Sequence, residues 1–195
     1  MLKRNLRRCP SACMACCLLA ISAAPSRAAN SSPWKTDARS AVRIVAAKPM
    51  GSAGTAVLRA GVEIRLPPGW RTYGCDPGDA GVPPEFDFSA SENVKSVVVR
   101  YPKPERFQEG GASSFGYRSD VIFPLRVVPK NASTPVKLHL KLDYAICETL
   151  CIPARAEIEF TFSRRDGAPF NAAVSGAEAQ ASNNCPKPPK WAPKI

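Results

Sequence analysis

Residues 136–162 read VKLHLKLDYAICETLCIPARAEIEFTF. From Val136 to Tyr144, every second residue is apolar, and the residues between them are Lys, His or Asp. The stretch from Ala156 to Phe162 repeats the alternation. A period of two is typical of an antiparallel strand with one face buried and the other in water. The stretch therefore predicts two strands with a tight turn between them.

Short extended runs recur upstream of this pair, and Pro and Gly separate them. They lie at residues 41–47, 55–66, 70–73, 94–101 and 120–128. Proline accounts for 20 of the 195 residues, which is about twice its usual share of ~5% and suits turns and strand ends. About seven short strands with a turn signal roughly every ten residues are typical of an all-β, immunoglobulin-like β-sandwich. Two longer segments rich in Pro and Gly, 72–88 and 102–116, are predicted to be loops.

The N-terminal 28 residues have the pattern of a secretory signal peptide. Four basic residues precede an apolar stretch from Ala12 to Ala24, and the small residues Ser26 and Ala28 suit cleavage after Ala28. The apolar stretch is too short to span a bilayer, so the sequence predicts an exported protein without stable membrane insertion. The alternative is an uncut N-terminal membrane anchor.

The remaining chain divides into three parts by its pattern. Residues 29–39 are predicted to be a flexible lead-in, and residues 40–163 form the predicted sandwich. The alternation of apolar and polar residues ends at residue 163. Residues 164–195 are predicted to contain one weak helix, at 168–181, and a Pro/Lys-rich tail.

Removal of the predicted signal peptide changes the counts of cysteine and charge. Four of the eight cysteines leave with it, together with five basic residues and no acidic ones, so the net charge of +11 falls to +6. The positive charge is not interleaved with stacking aromatic residues, which argues against a nucleic-acid partner. The single histidine, His139, lies on the polar face of a predicted strand and is interpreted as a solvated residue.

The mature chain keeps Cys75, Cys147, Cys151 and Cys185, which allow three full pairings. In an oxidising compartment such cysteines form disulfides unless something reduces them. A Cys147–Cys151 bridge would stabilise the fold by only about 2 kcal/mol, against about 5 kcal/mol for a bridge that encloses about 110 residues. A local pair is therefore a weak structural crosslink.

Three interpretations of the C-x3-C spacing remain open. The pair forms a static disulfide at the end of a hairpin, or an exchangeable disulfide, or two thiolates that bind Cu(I) or Zn. A short loop that holds both sulfurs at an exposed edge favours exchange, because such disulfides are easier to reduce. The metal interpretation is weakened because no second cysteine pair and no histidine lie nearby in the sequence.

The sequence resembles a known family over about residues 40–163. The resemblance is carried by GWRTYGCDPGDAGVPPEFDFSASENV at 69–94, RFQEGGASSFGYRSDVIFPLRV at 106–127, and above all LKLDYAICETLCIPA at 140–154. These runs are similar to the amino-terminal periplasmic domain of the thiol:disulfide interchange protein DsbD and its freestanding relatives.

The resemblance implies an immunoglobulin-like domain that carries a reversible disulfide. It implies that Cys151 forms mixed disulfides with partners and that Cys147 resolves them. Shielding of the pair is implied for Phe115 and Tyr117, with Phe107 as the rival. The expected electron donor is a membrane thiol–disulfide reductase, the expected acceptors are periplasmic thioredoxin-like proteins, and no cofactor is implied.

Two functions from different classes follow from these observations. The first is a protein-disulfide oxidoreductase component that passes electrons through the Cys147–Cys151 disulfide. The second is a non-enzymatic sandwich module that binds copper or an assembly partner.

Overall fold

The computed structural model describes residues 30–51, 57–79, 81–109, 111–162 and 169–182. The predicted signal peptide, Cys185 and the end of the predicted tail lie outside these ranges. In chain order, the described residues form the elements β1 (Lys35–Asp37), β2 (Ser40–Met50), β3 (Val57–Arg65), β4 (Thr72–Gly78), β5 (Glu85–Asp87), β6 (Val94–Val99), β7 (Tyr101–Pro102), β8 (Glu105–Glu109), β9 (Ala112–Tyr117), β10 (Val121–Pro129), β11 (Lys137–Cys147), β12 (Cys151–Thr161), α1 (Asn171–Gln180) and β13 (Ala181–Ser182).

The described strands pair antiparallel into separate sheets. The largest has the order β1-β2-β3-β10-β6, and a three-stranded sheet has the order β12-β11-β5. A second three-stranded sheet has the order β4-β9-β8. It lies at the end of the domain that carries the two cysteines, because Arg71, which immediately precedes β4, pairs with Cys147. The short strands β7 and β13 pair with each other.

One hydrophobic core lies between the large sheet and the β11–β12 pair. Alternate residues of β2, β3 and β10 face it from one side, and alternate residues of β11 and β12 from the other. At its centre, the ring of Phe123 contacts Phe86, Tyr101 and Tyr117 edge to face, with centroids 5.3–5.4 Å apart. Such tilted pairs stabilise a core beyond the burial of their area. The predicted all-β, immunoglobulin-like sandwich is confirmed.

Both segments predicted to be loops contain strands. Residues 72–88 include β4 and β5, and residues 102–116 form the β8–β9 hairpin. The prediction was wrong because β4 and β5 pair with residues distant in sequence, as Thr72 does with Tyr117. The strands β8 and β9 pair locally but contain too few apolar residues to show the alternation. The positive φ of Gly111, +89°, suits the tight connection between β8 and β9.

Residues 30–39 pair with the large sheet and are not the flexible lead-in that the sequence predicts. The backbone of Ser32 hydrogen-bonds to Ile44, and β1 pairs with β2. The guanidinium groups of Arg43 and Arg65 lie 4.3 and 4.2 Å from the centroid of the Trp34 ring. Cation–π contacts of this kind anchor a segment whose composition alone looks like a linker.

The weak helix predicted near the C-terminus is confirmed as α1, which packs on the outer face of the large sheet. Its one fully buried residue, Val174, packs with Val45 and Ala47 of β2 in a small apolar cluster. Next to them, the buried Arg59 of β3 forms an ion pair with Glu178 of the helix. The helix is thus held by an apolar cluster and a buried ion pair, to which Arg59 adds hydrogen bonds to Asn171 and Ser175.

Candidate functional site

The β11–β12 hairpin brings Cys147 and Cys151 directly opposite each other. The pairing runs in register from Lys137 and Thr161 at the open end to the two cysteines at the turn. Their sulfurs form a disulfide, and their Cα atoms are 4.1 Å apart. The backbone N–H and C=O of Cys147 both bond to Arg71, at 2.9 Å, and so point away from Cys151. A pair without backbone hydrogen bonds between its members is the closest kind in an antiparallel ladder.

The two sulfurs differ in exposure. Cys147 is fully buried, whereas Cys151 is exposed. Around Cys151 the side chains of Leu150 and Ile152 are also exposed, with 78% of Leu150 accessible. A thiol that approaches from solvent can therefore reach the sulfur of Cys151 and not that of Cys147.

A small group of buried side chains surrounds Cys147, and we call it the disulfide cluster. Its members are Tyr73, Phe107, Ala145 and Cys147. The Tyr73 hydroxyl donates a hydrogen bond to the sulfur of Cys147 at 3.1 Å and lies 3.5 Å from the sulfur of Cys151. The rings of Tyr73 and Phe107 have their centroids 6.1 Å apart. The buried sulfur thus has an apolar cover and one hydroxyl donor.

Two positively charged side chains lie over the ring of Phe107, a member of the disulfide cluster. The guanidinium groups of Arg71 and Arg118 stand over the Phe107 ring, 5.6 and 4.9 Å from its centroid. Arg155, which follows Cys151 closely in sequence, instead forms an exposed ion pair with Asp143 at 2.6 Å. That hydrogen bond raises the pKa of Arg155. The charges of Arg155 and Asp143 therefore offset each other beside the hairpin.

The structure separates the three residues for which shielding is expected. Phe107 belongs to the disulfide cluster and is 3% exposed. Tyr117 lies in the main core, where its hydroxyl donates to the carbonyl of Pro102 at 2.8 Å. Phe115 is half-buried and pairs with Arg106, one position away from the pair formed by Phe107 and Ser114, so it faces the opposite side of the β8–β9 hairpin. Of the three, only Phe107 is brought into the disulfide cluster.

Sequence reasoning missed Tyr73 as a residue of the site. The residue ends one of the short predicted runs, and its position next to Gly74 is the only local signal in the sequence. Its contact with Cys147 spans 74 positions and depends on the pairing of Arg71 with Cys147. Cys75, two residues further along β4, is partly buried against the main core and lies outside the disulfide.

The described residues offer no cluster of metal ligands. In the described ranges, no group of three or more His, Cys, Asp and Glu side chains could hold a metal ion. His139 lies on the polar face of β11 as predicted, and its hydrogen bond to Glu157 lowers the pKa of that carboxyl. No helix within these ranges has the length and apolar character needed to cross a membrane.

The part of the chain that contains this site matches a known protein family. Residues 42–163 match the family described as "Thiol:disulfide interchange protein DsbD, N-terminal". The chain belongs to the DsbD N-terminal domain family. The matched range contains the whole disulfide cluster and also Cys151. This DsbD-family chain therefore has a thiol:disulfide interchange-type domain.

A solved structure resembles the DsbD-family domain in fold and sequence. It is the N-terminal periplasmic domain of ScsB from Proteus mirabilis, with 26% identity and a TM-score of 0.60. The alignment covers 78% of this chain and 59% of the ScsB domain. No curated protein sequence matches the chain.

Proposed function

We propose that the chain is a periplasmic thiol–disulfide interchange protein that passes electrons to partner proteins through a reversible Cys147–Cys151 disulfide. The observation that carries the proposal is the pairing of one exposed and one buried sulfur at the end of a hairpin in a DsbD-family domain. The predicted signal peptide and the periplasmic ScsB relative support the compartment.

The oxidised domain first accepts two electrons from a donor dithiol. The donor thiolate attacks the sulfur of Cys151, a donor–Cys151 disulfide forms, and the Cys147–Cys151 bond breaks with its electron pair on Cys147. The second donor thiolate then attacks the donor sulfur of the mixed disulfide and releases Cys151. The donor leaves as a disulfide, and the domain is left with two reduced cysteines. We propose a membrane thiol–disulfide reductase as this donor.

The reduced domain then passes the electrons on. The Cys151 thiolate attacks the disulfide of a thioredoxin-like acceptor and forms a mixed disulfide, while one acceptor sulfur leaves as a thiolate. Cys147 attacks Cys151, restores the internal disulfide and releases the reduced acceptor. These roles suit the geometry, because the exposed cysteine meets the partner and the buried one meets only its neighbour.

The surface around Cys151 suits a protein partner. The exposed side chains of Leu150, Ile152 and Pro153 form an apolar border next to the reactive sulfur. Exposed apolar groups beside a reactive atom commonly mark a protein–protein contact. On the inner side, we propose that Phe107 is the residue that shields Cys147.

Trapping of mixed disulfides tests this function. A Cys147→Ala chain retains the nucleophile and lacks the resolving sulfur, so we expect it to accumulate covalent complexes with thioredoxin-like proteins in the periplasm. The matched Cys151→Ala chain keeps, of the pair, only the buried sulfur and should accumulate none of these complexes. A Cys151→Ser chain that reduces such acceptors as fast as the wild type would overturn the proposal. A stoichiometric metal in protein purified under reducing conditions, without redox cycling, would instead support the binding-module alternative.

A further inference from the structure

We propose that Tyr73 is a catalytic residue whose hydroxyl stabilises the negative charge on the sulfur of Cys147 during exchange. The proposal rests on the function proposed above and assigns one further residue to it. Its basis is the 3.1 Å hydrogen bond between the Tyr73 hydroxyl and the Cys147 sulfur, inside a fully buried pair.

Cys147 carries charge at one step in each direction of exchange. When a donor thiolate attacks Cys151, the bond between the two cysteine sulfurs breaks and Cys147 leaves as a thiolate. When the mixed disulfide with an acceptor is resolved, Cys147 attacks as a thiolate, the bond to Cys151 forms, and the acceptor sulfur leaves with the electron pair. Both steps therefore place an anion on a sulfur that solvent does not reach.

Burial opposes that anion unless a donor is present. A buried thiol favours its neutral form, and a hydrogen bond to the charged form reverses this preference. Tyr73 is the one side chain of the disulfide cluster with a hydroxyl. The neighbouring charged groups are the guanidinium groups of Arg71 and Arg118 over Phe107, and the exposed carboxylate of Glu148 in the turn.

The hydroxyl is held in place before the reaction starts. The backbone of Arg71 pairs with Cys147, and the Thr72 side chain donates to the carbonyl of Ala145 at 2.9 Å, which fixes the start of β4 against β11. Gly81 packs against the Tyr73 ring so closely that a Cβ there would lie 2.6 Å from the ring atom Cδ1. A donor held in this way needs no reorganisation when the charge develops.

The test compares Tyr73→Phe with Tyr117→Phe in the mature chain. Both variants remove a buried hydroxyl and keep the ring, but the Tyr117 hydroxyl bonds to a backbone carbonyl in the main core. Dithiothreitol serves as the reductant, so the measurement needs no protein partner and its outcome is separate from that of the trapping experiment. The rate of Cys147–Cys151 reduction is measured, and in the reduced protein the titration of the Cys147 thiol is followed by NMR of its ¹³Cβ signal, which needs no reagent to reach the buried sulfur.

We expect Tyr73→Phe to slow reduction by about 10- to 100-fold and to move the titration of Cys147 to higher pH by about one to two units. Tyr117→Phe should leave both readouts unchanged even if it lowers stability. Gly81→Ala places a Cβ against both Pro77 and the Tyr73 ring, and it serves where Tyr73→Phe does not fold. Where NMR shows the Tyr73 ring displaced in that chain, reduction should be slowed as well. Wild-type rates and an unshifted titration in a folded Tyr73→Phe chain, or in a Gly81→Ala chain with the ring displaced, would overturn the proposal.

Discussion

Replacement of Phe107 by Ala tests whether its ring decides which sulfur a thiol can attack. The ring is 3% exposed, belongs to the disulfide cluster and lies beneath two guanidinium groups. Cys147, in the same cluster, is fully buried, whereas Cys151 is exposed. If the ring is the shield, its removal should open a route to Cys147 and leave the route to Cys151 unchanged.

The size of the effect follows from the burial of the ring. Burying a Phe side chain stabilises a fold by about 2 to 3 kcal/mol, and this free energy must be supplied whenever the ring swings away from Cys147. Each 1.36 kcal/mol corresponds to about a factor of ten, so the open form should become about 30- to 150-fold more populated in Phe107→Ala. Attack at Cys147 should rise by the same factor.

The assay maps the site of attack. Oxidised protein is exposed briefly to glutathione and quenched, and the cysteine that carries glutathione is identified by mass spectrometry of its peptides. The wild type should be labelled at Cys151, and Phe107→Ala should show a new label at Cys147. Phe115→Ala is the matched control, because Phe115 lies on the same hairpin but faces its opposite side. Equal label at Cys147 in the wild type and Phe107→Ala, or the same gain in Phe115→Ala, would refute the assignment.

Three further predictions concern the framework of the site. Glu178→Ala leaves the buried guanidinium of Arg59 without its carboxylate and should lower the free energy of unfolding by about 3 kcal/mol in urea titrations, whereas Arg155→Ala, at an exposed pair, should change it little. Gly116→Ala would place a Cβ 2.1 Å from a backbone carbonyl oxygen of β4, so hydrogen exchange should show the β8–β9 hairpin loosened, with about 1 to 3 kcal/mol of stability lost. Burial raises the pKa of Tyr144 above its ordinary value of 10.0, so the folded state keeps the phenol proton longer than the unfolded state does. The stabilising contribution of the Tyr144 phenol should therefore be fully present below about pH 10 and decrease as the pH rises further. Tyr144→Phe should make the free energy of unfolding fall less steeply at alkaline pH, and an unchanged slope would contradict the prediction.

Much of the fold could be predicted because alternation is a local property. The strands β11 and β12 follow directly from residues 136–162, and the packing of their apolar faces requires a second sheet. The β4-β9-β8 sheet could not be predicted in this way, since β4 pairs with the distant β9, and β8 and β9 contain few apolar residues. The same limit applies to residues 30–39, where contacts from Trp34 to distant arginines decide the conformation.

The sequence by itself determined the all-β sandwich and the pair of cysteines, because a period of two and a spacing of four positions are both written in neighbouring residues. Only the tertiary structure decided which sulfur is exposed, which aromatic ring covers the other, and that the Tyr73 hydroxyl lies 3.1 Å from Cys147. Exposure depends on everything that packs around an atom, and here the packing comes from β4 and the β8–β9 hairpin, which are remote from the cysteines in sequence. The chemistry of the disulfide is therefore local, and its asymmetry is a property of the assembled fold.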